Sequence, residues 1–244
     1  MNAALALPTR HDEDYRYTDL AALEAAWPVA REEIAIAAGQ SGHLALVMGK
    51  GAPARHIVLT LADEARFDLR VLNAAGRFGR VAVEVRLGRA AHFTLGGAQL
   101  GGGGETVEIV TEVTHAAPDA TSRQVVRSVL AGKATGTYLG RVAVERGAIG
   151  TDAEQSVRAM LLDRTATANA RPELEIYADD VKCAHGCAVG ELDPVGLFYL
   201  ESRGLPPAEA RRLMLQAFVA EAFIGAADED ALNAAALAAL EALL

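Results

Sequence analysis

From Leu44 to about Tyr177 apolar residues recur at every second position, most plainly at Val81, Val83, Val85 and Leu87, with Ala82, Glu84 and Arg86 facing the other way. A period of two is the signature of β-strands, whose side chains alternate between faces. Comparable runs occur at Leu44–Met48, Ile57–Leu61, Phe67–Val71, Val107–Val113, Val125–Val129, Tyr138–Val144 and Leu174–Ile176. The Asn-Gly and Asp-Gly dipeptides that mark tight hairpins are missing between these runs, and most joins are loose Gly- and Ala-containing links. Periodicity alone leaves two architectures open: a right-handed parallel β-solenoid of stacked coils, or a β-sandwich. No fixed-length repeat decides between them.

Helical periods flank this region. Residues 18–27 predict a short helix, capped by Thr18 or Asp19, with Leu20, Leu23 and Trp27 on one face and Pro28 as its stop. After residue 190 Asp193 is placed to cap a helix opening at Pro194 and ending near Gly204. A second helix begins at Pro206-Pro207 and carries Leu213, Met214, Ala217, Phe218 and Glu221. Asp228 precedes a third, rich in Ala and Leu. The expected organisation is a helical segment over 1–35, a mainly β core over 36–190 and a C-terminal helical domain over 191–244, the helices acting as a cap or as a surface for another protein.

Composition narrows the function. Of 244 residues 51% are hydrophobic, yet no uninterrupted apolar stretch reaches the roughly 18 residues of a membrane span. The N-terminus turns charged within a dozen residues, so a cytoplasmic protein is expected. A net charge of −9 argues against a nucleic-acid partner. Two cysteines are too few for a disulfide framework. Neither Gly49-Lys50 nor Gly132-Lys133 completes a phosphate-binding loop, so no ATP site is expected. The adjacent carboxylates Asp179-Asp180 and Glu32-Glu33 read as solvated pairs, and no serine has a G-x-S-x-G setting.

The segment from Ala178 to Cys187 is the most informative. If it is extended, Cys183 and His185 share a face. An adjacent imidazolium favours thiolate, and thiolate and neutral imidazole both ligate iron or zinc. Cys187 joins them as an extra thiol if Gly186 does not break the strand. The competing reading makes Cys183 a small core residue and His185 a hydrogen-bonded strand residue. The other histidines have no ligand spacing, which disfavours a closed four-ligand zinc site and leaves an open one, completed from another subunit.

The stretch from Thr121-Ser122-Arg123-Gln124 through Pro172–Tyr177 and Ala178-Asp179-Asp180-Val181-Lys182-Cys183-Ala184-His185-Gly186 to Leu197-Phe198-Tyr199-Leu200-Glu201-Ser202-Arg203-Gly204 closely resembles the SufB/SufD family of iron–sulfur cluster assembly proteins. The likeness continues to Phe218 and Glu221, and Arg16-Tyr17-Thr18-Asp19-Leu20 resembles a family element near the N-terminus. The Lys-Cys-x-His-Gly form is closer to the SufD branch. The resemblance implies a right-handed parallel β-helix with a short N-terminal helix and a C-terminal helical domain. It implies a non-catalytic scaffold that pairs with a SufB-like subunit and binds a SufC-like ABC ATPase, with a homodimer as another arrangement. On the same ground Cys183 and His185 would serve cluster assembly and hold iron transiently at a subunit interface, with no cofactor resident on the isolated chain. Phe198, Tyr199, Arg203 and Phe218 fall where the family docks its ATPase. Family members are usually longer, so a shortened N-terminal part and fewer coils are expected. Cys187 has no counterpart thiol in the family pattern. A purely structural adaptor for the ATPase and a free-standing Cys/His metalloprotein are the alternatives.

Overall fold

A computed structural model describes residues 6–49 and 53–244; residues 1–5 and 50–52, including the Lys50 of Gly49-Lys50, lie outside the described part. The strands in chain order are β1 (Arg31–Ile36), β2 (Ser41–Met48), β3 (Ala54–Leu61), β4 (Arg66–Asn73), β5 (Phe78–Leu87) and β6 (His92–Gly101). They continue as β7 (Thr106–His115), β8 (Thr121–Leu130), β9 (Thr135–Val144), β10 (Asp152–Leu161), β11 (Thr167–Ile176) and β12 (Lys182–Gly190). Odd-numbered strands form one parallel sheet, ordered β1-β3-β5-β7-β9-β11, and even-numbered strands a second, ordered β12-β10-β8-β6-β4-β2. The chain thus winds between two facing sheets as a parallel β-solenoid of about five turns, which excludes the sandwich.

Why no repeat length is visible follows from the register. Ser41 lies beside Arg66, Arg66 beside His92, His92 beside Thr121 and Thr121 beside Asp152, steps that lengthen from 25 to 31 residues. The strands stay in register because the added residues are absorbed at the corners. Four described strands fall outside the alternating runs. The first, β1, begins at Arg31, within the stretch assigned to the N-terminal helical segment. In β6 the inward positions Gly97 and Gln99 break the apolar alternation, as Gln155 does in β10. The fourth, β12, carries the solenoid past Tyr177 to Gly190.

The interior is largely apolar, with Leu69, Val83, Phe93, Leu95, Ile109, Val126 and Val157 packed together. It turns polar late in β4 and β6 of the even-numbered sheet. Asn73 Nδ2 donates to the carbonyls of Gly79 and Glu108 at 2.9 and 3.0 Å, and Gln99 Nε2 to those of Val107 and Thr137 at 3.1 and 2.8 Å. Carbonyls of the facing sheet thus satisfy the buried amide N–H groups of Asn73 and Gln99.

A short 3₁₀ turn at Glu13–Tyr15 and helix α1 (Leu20–Glu24) cross the outer face of the odd-numbered sheet. Asp19 is the cap, accepting from the Ala22 N–H at 3.1 Å. Thr18 instead turns to the sheet, where its hydroxyl donates to Glu108 Oε2 at 3.0 Å. Arg80 donates to the same oxygen at 2.6 Å and to the Asp14 carbonyl at 2.9 Å, and its guanidinium lies 4.3 Å from the Tyr15 ring centroid. The N-terminal segment is therefore fastened by a buried ion pair.

Three helices follow the solenoid: α2 (Pro194–Ser202), α3 (Pro207–Ala220) and α4 (Glu229–Glu241). Asp193 caps α2 through the Val195 and Gly196 N–H groups at 3.0 and 3.1 Å. Asp228 stands at the start of α4, but its side chain makes no capping bond. Leu215, Val219, Phe223, Leu232, Ala236 and Leu240 form a second core against the outward residues Leu72, Ala98, Leu100 and Val129 of the even-numbered sheet. Arg70 donates to the Ala222 carbonyl at 2.8 Å, and a Cβ on Gly96 would stand 1.7 Å from that oxygen, so only glycine admits this approach.

Candidate functional site

β12 is the terminal strand of the even-numbered sheet. It pairs with β10 in parallel register, which sets Cys183 beside Ala153, His185 beside Gln155 and Cys187 beside Val157. Those three partners are buried inward positions. Side chains stacked along a parallel ladder keep their direction from strand to strand, about 4.8 Å apart. Cys183, His185 and Cys187 accordingly face the interior side of the last coil, Gly186 leaving the strand unbroken. Two further observations fix this direction on either side of His185. Cys183 packs against the solenoid core, and Cys187 Sγ lies 4.0 Å from the Ala170 carbonyl of β11.

Among the described residues no further coil closes this end of the solenoid. His185 and Cys187 are consequently exposed although they face inward, and Cys183 is half-buried. The strand beyond them offers unpaired backbone groups, an invitation to another chain. Ile176, Tyr177 and Val189, exposed by 41%, 63% and 49%, add apolar surface to the same end of the molecule. Lys182 points outward, opposite Cys183.

Burial pushes the Cys183 thiol above its ordinary range; the Ala153 backbone opposes this and the Asp152 carboxylate adds to it. At neutral pH the isolated chain therefore presents a protonated thiol, where the Cys-x-His pairing suggested a thiolate. Among the described residues no group of three or more His, Cys, Asp or Glu side chains is arranged to hold a metal ion. The Cys/His strand can contribute ligands to a site; it does not form one by itself.

The positions read as ATPase-docking residues separate. On α2, Val195, Phe198 and Tyr199 are exposed by 71%, 72% and 56%, and the Arg203 guanidinium lies 5.3 Å from the Tyr199 ring centroid. Phe218 is elsewhere: half-buried against the helical core, with the Arg127 guanidinium 5.9 Å from its ring centroid. Arg127, its side chain 5% exposed, also bonds Glu221 at 2.7 Å and the carbonyls of Val126 and Ser156 at 2.9 Å. Phe218 and Glu221 thus help fasten the helices to the solenoid. Sequence reasoning missed Arg127, Arg70 and Gly96 as anchors, since a strand arginine or glycine carries no mark of what lies across its face.

A cleft of about 350 Å³ lies under the N-terminal segment, lined by charged residues including His56, Arg80, Glu84, Arg141 and Arg171. Most of its charges are already paired: His56 with Glu84 at 2.8 Å, Arg141 with Glu112 at 2.6 Å and Arg171 with Glu173 at 2.6 Å. It does not include Cys183, His185 or Cys187. The Glu32 carboxylate, read as solvated, pairs with Arg55. No described helix is long and apolar enough to cross a membrane.

Residues 33–218 match the family described as "SUF system FeS cluster assembly, SufBD core domain". The chain is 36% identical over 117 residues to the iron–sulfur cluster assembly protein SufD of Escherichia coli, covering 48% of this chain and 28% of that protein. It is 35% identical over 121 residues to SufD of Bacillus subtilis, covering 50% and 28%. To the chloroplastic protein ABCI7 of Arabidopsis thaliana it is 33% identical over 160 residues, covering 65% and 34%. The matched part of the chain thus spans about a third of the length of each of these curated relatives. With the parallel solenoid, the Lys-Cys-x-His-Gly strand at its end and a match over most of the chain, the protein belongs to the SufB/SufD family of iron–sulfur cluster assembly proteins and is SufD-like within it.

Proposed function

We propose that this chain is a scaffold subunit of a Suf-type assembly complex, pairing with a SufB-like subunit through the β11–β12 end of its solenoid and binding a SufC-like ABC ATPase through α2. One observation carries the reading: the family's Cys-x-His element lies on an uncovered terminal strand, facing inward where no described residue of this chain completes its coordination. A partner strand laid against that edge would bring its own ligands over His185 and Cys183, and an iron–sulfur cluster under construction is the substrate such a shared site would hold. Burial by the partner would also bring new charges to the Cys183 thiol, and iron would displace its proton. Cys187 is close enough along the strand to add a second sulfur.

The exposed Val195, Phe198 and Tyr199 are the surface on which an ATPase would pull, since large apolar residues at such exposure mark an interaction face. The helices are fastened to the solenoid through Gly96, Arg70 and Arg127, so force applied at α2 reaches the sheet that ends in β12. ATP-driven movement of the ATPases would then strain the joint between the two solenoids and admit iron or sulfur. The chain supplies ligands and leverage, and hydrolysis belongs to the partner.

The test is reconstitution with the SufB-like and SufC-like partners, comparing wild type with His185→Ala and Cys183→Ala. Loss of cluster yield with the complex intact is expected for His185→Ala. Unchanged yield from both variants would leave only the mechanical role, in which Phe198→Ser with Tyr199→Ser abolishes ATPase binding and the Cys/His strand is dispensable.

A further inference from the structure

The ladder beneath His185 contains a buried polar group whose bonding is incomplete. Gln155 is 1% exposed. Its amide nitrogen donates to the Tyr138 hydroxyl at 3.0 Å and to the Gly140 carbonyl at 3.1 Å. A carbonyl can only accept, so the Gly140 contact fixes which end of the amide is nitrogen. Tyr138 in turn donates to Gln124 Oε1 at 3.2 Å, completing a directed chain from β10 to β9 to β8. Gln155 Oε1 is left without a partner among the described residues. With the nitrogen turned to β9, the oxygen is turned away from that coil. One strand spacing away on either side, the residues in register are Gln124 on β8, whose Nε2 also lacks a partner among the described residues, and His185 on β12. The other inward residues of that strand, Cys183 and Cys187, carry only weak S–H donors.

We infer that Gln155 is a positioning residue: its buried Oε1 accepts one ring N–H of His185, holding the imidazole in a single tautomer with the other nitrogen unprotonated and facing out of the solenoid end. A ring nitrogen held in this way is a prepared metal donor, because the partner of the first nitrogen decides which one keeps the proton. The inference rests on the proposed role of His185 for its purpose, but the hydrogen bond can be read without any cluster. A buried acceptor calls for a donor, and the register brings two, Gln124 Nε2 on β8 and His185 on β12, neither of which bonds the oxygen in this structure. The Gln124 amide is held through its Oε1 by Thr111 and Tyr138, whereas the exposed His185 ring is free to turn onto the oxygen.

The experiment is long-range ¹H–¹⁵N correlation on the full chain with ¹⁵N-labelled histidine, at mildly alkaline pH where imidazoles are neutral. A His185→Gln sample assigns the His185 signals. The expected result is a single His185 tautomer in the wild type, relaxing to the mixture of a free imidazole in Gln155→Met and retained in Gln155→Glu. A free-imidazole mixture in the wild type would overturn the inference without recourse to any variant. So would an unchanged single tautomer in Gln155→Met whose other histidine signals match those of the wild type. Failure of the cluster-assembly reading shows elsewhere, as unchanged cluster yield in His185→Ala with the tautomer still locked in the wild type.

Discussion

His115 makes the solenoid sensitive to acid, and the size of the effect can be worked out from its surroundings. The ring is fully buried at the end of β7, with Nε2 2.8 Å from the Ser122 hydroxyl. Burial lowers its pKa to about 4 from 6.5, with only the Ala120 backbone opposing the shift. In the unfolded chain the imidazole takes a proton below about 6.5, and the folded chain refuses that proton until about 4. Stability that is complete above pH 6.5 is therefore lost as the pH falls through this window. A gap of about 2.5 units at 1.36 kcal/mol each amounts to about 3 kcal/mol. His115→Gln removes the titration while keeping a polar group beside Ser122, and its own packing cost of about 1–2 kcal/mol does not vary with pH. Urea unfolding of both proteins at intervals from pH 8 to pH 4 gives the comparison. Carboxylates and His92 contribute equally to both, so the difference between the curves isolates His115. Wild type is expected to be the more stable at pH 8 and to lose about 3 kcal/mol relative to the variant by pH 4. Curves that stay parallel within about 0.5 kcal/mol would refute the reasoning.

Two further perturbations test how the flanking segments are held. Glu108→Ala leaves the Arg80 guanidinium, 4% exposed, without its counter-charge, and should cost about 3–5 kcal/mol. Hydrogen exchange should rise at Tyr15–Leu23 first, and a loss below about 1 kcal/mol would mean the pair does not fasten the segment. Gly96→Ala drives a Cβ into the Ala222 carbonyl and should cost about 1–3 kcal/mol. Faster exchange across Leu215–Phe223 would report the undocking of α3. Gly186→Ala, where the new Cβ meets nothing within 4 Å, should be neutral by the same measurements.

Alternation exposed those strands whose inward positions are apolar and whose outward positions face water, as in Val81, Val83, Val85 and Leu87. It failed where either condition lapsed. Gln99 and Gln155 face inward because they bind carbonyls of the opposite sheet, and Ala98 and Leu100 face outward yet are buried under α3 and α4. Neither exception is visible in a window of ten residues, since each answers to a chain segment far away in sequence. The site divides in the same way. Cys183 and His185 were legible as a same-face pair from their spacing alone, and the family element marked them as chemical. That Phe218 belongs to the helix–solenoid seam, while Phe198 and Tyr199 stand free, depended on which helix lies against β8.

Local order along the chain thus determined that strands would form, where the helices would begin, and that a thiol and an imidazole would project together. Tertiary structure decided that their strand comes last. Stacking gives each inward side chain a neighbour from the coil on either side, except at the terminal coil, where one side is missing. The same alternation that buries Ala153, Gln155 and Val157 leaves His185 and Cys187 open. Exposure here is set by the number of coils above a residue, a property of the stack that no residue's own sequence neighbourhood contains.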